Sequence, residues 1–123
     1  MSFLAIELTQ VLQKLVGSTA GIQGAALVTF DGLPLVTQLP LSMDSERVAA
    51  MTAALLSIGE RIGTELGRGK IERVSMVGHQ GYSVLTSCGI DTVLLVLADR
   101  QVRQGVLYLA IGQAIADLQP LLV

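Results

Sequence analysis

The side chains that could do chemistry are few and scattered. His79 is the only histidine. It stands in Gly78-His79-Gln80-Gly81, a turn between two apolar runs. A general base needs a nucleophile or an orienting partner, and the sequence offers none, so His79 reads as a solvated turn residue. Cys88 is the only cysteine. It has no internal disulfide partner and reads as a buried thiol in a reducing compartment. No His/Cys cluster has the spacing of metal ligands. Gly63-Thr64-Glu65-Leu66-Gly67-Arg68-Gly69-Lys70 superficially resembles a phosphate loop. Its glycine spacing is wrong, Ile71 stands where a Mg²⁺-binding hydroxyl is needed, and it leads from helix to strand when the phosphate loop runs from strand to helix. Arg47, Arg61, Arg68, Arg73, Arg100 and Arg103 could supply a cation to a bound partner, but surface arginines are ordinary and each reads first as a solvated charge. No catalytic residue, cofactor or metal is expected, and the chain reads as something other than an enzyme.

Composition points to a binding role. The 123 residues fit one domain, 1–123. Apolar residues make up 51% and aromatic residues 3%, so the core must be aliphatic. A mean hydropathy of +0.64 implies apolar surface that a partner or a second copy covers. The eight basic residues are scattered and the net charge is −2, which leaves no face for nucleic acid. The longest uncharged apolar run, Val93 to Ala98, is far below the ~20 residues of a membrane span, so no membrane insertion is expected. The first residues lack the basic start of a signal peptide, and a cytoplasmic location follows as an expectation.

Eight elements would carry these residues. Ser2 to Val16 is a helix, with Leu4, Leu8, Val11, Leu12 and Leu15 on one stripe. Gly24 to Phe30 and Leu33 to Leu39 are strands around Asp31-Gly32, a hairpin signal in which both turn residues should take positive φ. Pro34 puts the second strand at a sheet edge. Asp44 or Ser45 caps a long helix to Leu66, stopped by Gly67-Arg68-Gly69. Lys70 to Val77, Tyr82 to Cys88 and Thr92 to Ala98 are strands. The last is apolar on both faces and therefore central. Arg100 to Leu118 is a final helix. Its core face is Leu107, Ile111, Ala114 and Leu118. Val102, Val106 and Leu109 lie nearly opposite; together with Phe3 and Ile6 they either pack between the first and last helices or form a second partner site. The order α-β-β-α-β-β-β-α predicts an α+β sandwich, a five-stranded antiparallel sheet with helices on both faces. Strands 24–30 and 92–98 belong at its centre, and strands 33–39 and 70–77 at its edges.

The middle helix suggests doubling. At ~1.5 Å per residue it is about 33 Å long, against ~19 Å for five strands. Val48, Met51, Leu55, Ile58, Ile62 and Leu66 read as its core stripe. Beside it lie Ala49, Thr52, Ala53, Leu56, Gly59 and Gly63, small enough for a second helix to approach. A helical glycine costs ~1 kcal/mol against alanine, so two of them suggest a compensating close contact. With Glu72 and Val74 on the free edge strand, these residues are the expected dimer or partner interface.

The ordered set resembles the roadblock/dynein-light-chain family, a profilin-like fold. The resemblance is carried by Gly21-Ile22-Gln23-Gly24-Ala25-Ala26-Leu27-Val28 before Asp31-Gly32-Leu33-Pro34, by the Ala-rich middle helix, by Gly89-Ile90-Asp91-Thr92-Val93-Leu94-Leu95-Val96-Leu97, and by Gly105 in the last helix. It covers nearly the whole chain and is most similar to bacterial MglB-type GTPase regulators. The resemblance implies a homodimer with a ten-stranded sheet, joined through edge strand and middle helix. It further implies a small Ras-like GTPase as partner, docked on the paired middle helices and regulated without an arginine finger. Two other readings stand beside it: a scaffold or adaptor of a signalling or motility complex, and a small-molecule sensor.

Overall fold

The computed structural model describes residues 2–122. The elements run α1 (Phe3–Ser18), β1 (Ile22–Thr29), β2 (Pro34–Gln38), α2 (Ser45–Glu65), β3 (Arg73–Gly78), β4 (Gly81–Ser87), β5 (Thr92–Ala98) and α3 (Gln104–Leu118), with a short 3₁₀ turn at Gln119–Leu122. The sheet is antiparallel throughout, in the order β2-β1-β5-β4-β3. The two most apolar strands are central, as expected. Pro34 sits in edge strand β2, beside a register shift opposite Leu27 and Val28. A residue without an N–H is tolerated at such a place.

Two apolar layers fill the sandwich. On one face Leu8, Leu12 and Leu15 of α1 meet Leu107, Ile111, Ala114 and Leu118 of α3 over Ala25, Leu27, Val84, Leu94 and Val96. On the other, Ala49 and Leu56 of α2 cover Ala26, Val28, Leu85, Val93 and Leu95. Strand alternation sorts these neighbours to opposite faces, and β5 is buried on both.

Several expectations need correction. The hairpin is a three-residue loop. Gly32 N–H donates to Thr29 O at 3.0 Å, and only Gly32 takes positive φ, at +94°. That is a type I turn with a glycine bulge, so Asp31 keeps an ordinary conformation. Strand β3 begins at Arg73, although Glu72 O still accepts from Ser87 N–H at 3.0 Å. The last helix begins at Gln104, because Asp99 Oδ1 accepts from Gln101 N–H at 2.9 Å and holds the intervening residues in a turn. Val106 and Leu109 are not covered by α1 and remain exposed, as does Phe3. Gln104–Leu122, 19 residues long, contains an 18-residue stretch of mean hydropathy 1.3, enough by length and composition for a membrane span. Counting only unbroken apolar runs missed it, because glutamines and glycines interrupt the pattern. Here its apolar side is a wall of the core.

Candidate interaction surface

Helix α2 begins where Asp44 Oδ1 accepts from Glu46 N–H at 3.0 Å and Arg47 N–H at 3.4 Å. It ends at Leu66. Arg68 N–H donates to Gly63 O at 2.7 Å and Gly67 N–H donates to Thr64 O at 3.2 Å. With Gly67 at φ +66°, this paired closure is a Schellman stop. The segment that resembled a phosphate loop is therefore a helix terminus.

Between these ends the helix crosses its sheet diagonally. Ser45 Oγ lies 3.3 Å from Thr37 Oγ1 on β2, and the far end passes Val74 of β3 and then Ile71. A diagonal lets about 32 Å of helix lie on a narrower sheet. The side turned to the sheet is the small-residue face: Ala49, Thr52, Ala53, Leu56 and Gly63 are all buried within the chain itself. A Cβ on Gly63 would come within 2.8 Å of Gly69 O and of Ile71 Cδ1. The close approach that these residues permit is to the chain's own sheet and returning loop. Their expected place at a partner interface is corrected on that ground. Gly59 is half-buried against Val74, whose Cγ2 would lie 3.5 Å from an added Cβ.

The stripe expected in the core is the one that faces out. Met51 is 56% exposed, Ile58 55%, Ile62 52% and Leu66 62%, with Val48 and Leu55 half-buried beside them. Four large apolar side chains in one row on a helix surface form a patch, and such patches mark interaction sites. Size was the available signal. Small residues belong where backbones come closest, and the nearest backbone is the sheet beneath.

Beside the stripe, β3 forms the free edge, bonded only to β4. Glu72 is exposed and Val74 half-buried, while Met76 and Val77 are exposed. Val48, Met51, Leu55, Met43 and Met76 wall a groove of about 390 Å³ that reaches down to Ser83, Leu85, Leu95 and Leu97 of the sheet. Stripe, groove and strand edge lie on one side of the chain.

The chemically capable residues do not converge. His79 is exposed in the β3–β4 turn. Cys88 is buried with its Sγ 3.5 Å from Thr92 Oγ1. Burial pushes the thiol's pKa up, against the weaker pull of that contact, so the thiolate is disfavoured. The Arg73 guanidinium lies 4.2 Å over the Tyr108 ring, and Arg100 donates to Gly78 O at 3.3 Å. Arg61 borders the hollow formed by Ile58, Ile62, Glu65 and Leu66. The one ion pair among the described residues, Lys14 to Asp117 at 3.9 Å, is exposed and remote from this surface.

Comparison with known proteins agrees with the architecture. Uncharacterized protein MJ0310 of Methanocaldococcus jannaschii is 35% identical over 96 residues, 78% of this chain and 83% of that protein. Myxococcus xanthus MglB has the same fold, with a TM-score of 0.90 at 18% identity, over 98% of this chain and 90% of that one. Profilin II of Acanthamoeba castellanii superposes with a TM-score of 0.67 at 13% identity, over 92% of this chain and 97% of that one, so the fold is profilin-like. Residues 8–98 match the Roadblock/LC7 domain, and the chain belongs to that family.

Proposed function

We propose that the chain acts as a cytoplasmic homodimer that regulates a small Ras-like GTPase without a catalytic centre of its own. The observation that carries the reading is the exposed row Met51, Ile58, Ile62 and Leu66 beside the free edge of β3. A second copy added edge to edge would continue the sheet to ten strands. It would bring the two α2 helices together and cover the groove beside each. Glu72 and Val74 keep their place at this edge; on the helix, the exposed row replaces the small residues. The fold likeness to MglB supports a GTPase as the partner, with the paired α2 helices as its docking surface.

The test has two steps. Light scattering at micromolar concentration should give twice the chain mass of 12.9 kDa. A persistent single-chain mass ends the dimer reading. A Ras-like GTPase from the same cell should then be recovered on the immobilised protein, and its GTP hydrolysis should change when the protein is added. Binding with unchanged hydrolysis would leave a scaffold in place of a regulator.

A further inference from the structure

The chain has four methionines, and the three within the described residues line one groove. They reach it from three places: Met43 from the loop before α2, Met51 from α2 and Met76 from β3. They are 41%, 56% and 46% exposed, so each sulfur-bearing side chain is open to solvent in the single chain. Among the described residues, no charged side chain lines the groove. Its only hydroxyls are those of Thr52 and Ser83, and the Thr52 hydroxyl already donates to Val48 O at 2.8 Å. A polar group placed here under a partner helix would find almost no donor.

We propose that these methionines make self-association oxidation-sensitive, so that a peroxide switches the dimer towards single chains. The inference rests on the dimer reading above, in which the occupant of the groove is the apolar row of a second copy. The thioether sulfur attacks one peroxide oxygen and the O–O bond breaks. The sulfur is oxidised by two electrons to the sulfoxide, and hydrogen peroxide is reduced to water. The product carries an S=O dipole where the partner offers aliphatic carbon. Burying the three sulfoxides without full pairing disfavours association by roughly tenfold or more in all. The dimer covers the sulfurs, so oxidation proceeds through the dissociated chain and holds it apart.

The experiment measures the dimer dissociation constant by sedimentation, before and after hydrogen peroxide, with mass spectrometry locating the added oxygens. Untreated protein should dimerise. Protein oxidised at Met43, Met51 and Met76 should dissociate at least tenfold more readily and recover after methionine sulfoxide reductase. The Met43→Leu/Met51→Leu/Met76→Leu variant keeps apolar volume and Cys88; its own untreated dissociation constant is the reference, and the same treatment should leave that constant unmoved. Circular dichroism and the untreated mass control its fold and assembly. Reductase reversal of the native chain carries the same test without a substitution. The proposal is overturned if the three sulfoxides form and the constant moves less than tenfold, or if the Leu variant is equally sensitive. An untreated protein that never dimerises overturns the dimer reading and this inference with it. That arm is read before any peroxide is added, so the two failures are told apart.

Discussion

Two glycines of α2, four residues apart, show how differently one residue type can be used. Both have negative φ, so neither is required by backbone conformation. At Gly63 the requirement is space, because an added methyl would press on Gly69 O and Ile71 Cδ1. At Gly59 the nearest atom to an added methyl is Val74 Cγ2, at ordinary contact distance. The helical cost of glycine at that position is therefore uncompensated within the chain. Gly59→Ala should stabilise the protein by about 0.5–1 kcal/mol, and Gly63→Ala should destabilise it by about 1–3 kcal/mol. Urea unfolding of both variants at one fixed protein concentration separates the effects. If Gly63→Ala leaves stability unchanged or raises it, the Gly63 contact is not what constrains that position.

At the scale of elements, α2 is where reading the sequence and folding it part company. Its apolar positions fall on two adjacent faces, and a 3.6-residue period finds both equally well. Hydropathy then favours Met51, Ile58, Ile62 and Leu66 for the core, because they are larger. The fold instead seats Ala49, Ala53 and Leu56 on the sheet and leaves the larger side chains outside. Which face turns inward depends on the gap between helix and sheet, and local sequence does not encode that distance. The elements themselves were legible, since alternation, turn glycines and Pro34 each act within a few residues. The double-sided apolar pattern of Val93 to Leu97 likewise pointed to β5 as the central strand, which it is. Opposite substitutions test the inversion. Leu56→Ala should cost about 2–5 kcal/mol, because it opens a hole under the helix. Ile62→Glu should change the stability of the separated chain by no more than about 0.5 kcal/mol, yet abolish association. Unfolding measured below the dissociation concentration, paired with sedimentation above it, checks both. A native-like dimer of Ile62→Glu would remove the exposed row from the interface.

For the whole molecule, the proposed function separates holding a partner from acting on it. The side carrying stripe, groove and strand edge is largely aliphatic, with Arg61 at its border, and the residues able to do chemistry do not converge on it. Arg73 rests on Tyr108, and Arg100 is tied to Gly78 and lies 5.4 Å from the centre of the Tyr82 ring. Arg47, Arg61, Arg68 and Arg103 form no ion pair among the described residues that would fix their direction. A cation that stabilises a transition state must be held in place before the charge develops, and removing one costs roughly 10³–10⁵ in kcat. A docking contact acts on affinity, and its loss is overcome by raising concentration. Alanine substitution of the six arginines, assayed with a responding GTPase at saturating concentrations of the variant, should therefore leave the saturated rate within a few-fold of normal. Arg61→Ala, beside the exposed isoleucines, should show the largest loss of apparent affinity. One variant that binds normally and yet loses a thousandfold in saturated rate would show that this chain inserts a catalytic group into its partner. The reading of this side as a docking face without a catalytic group would then be wrong.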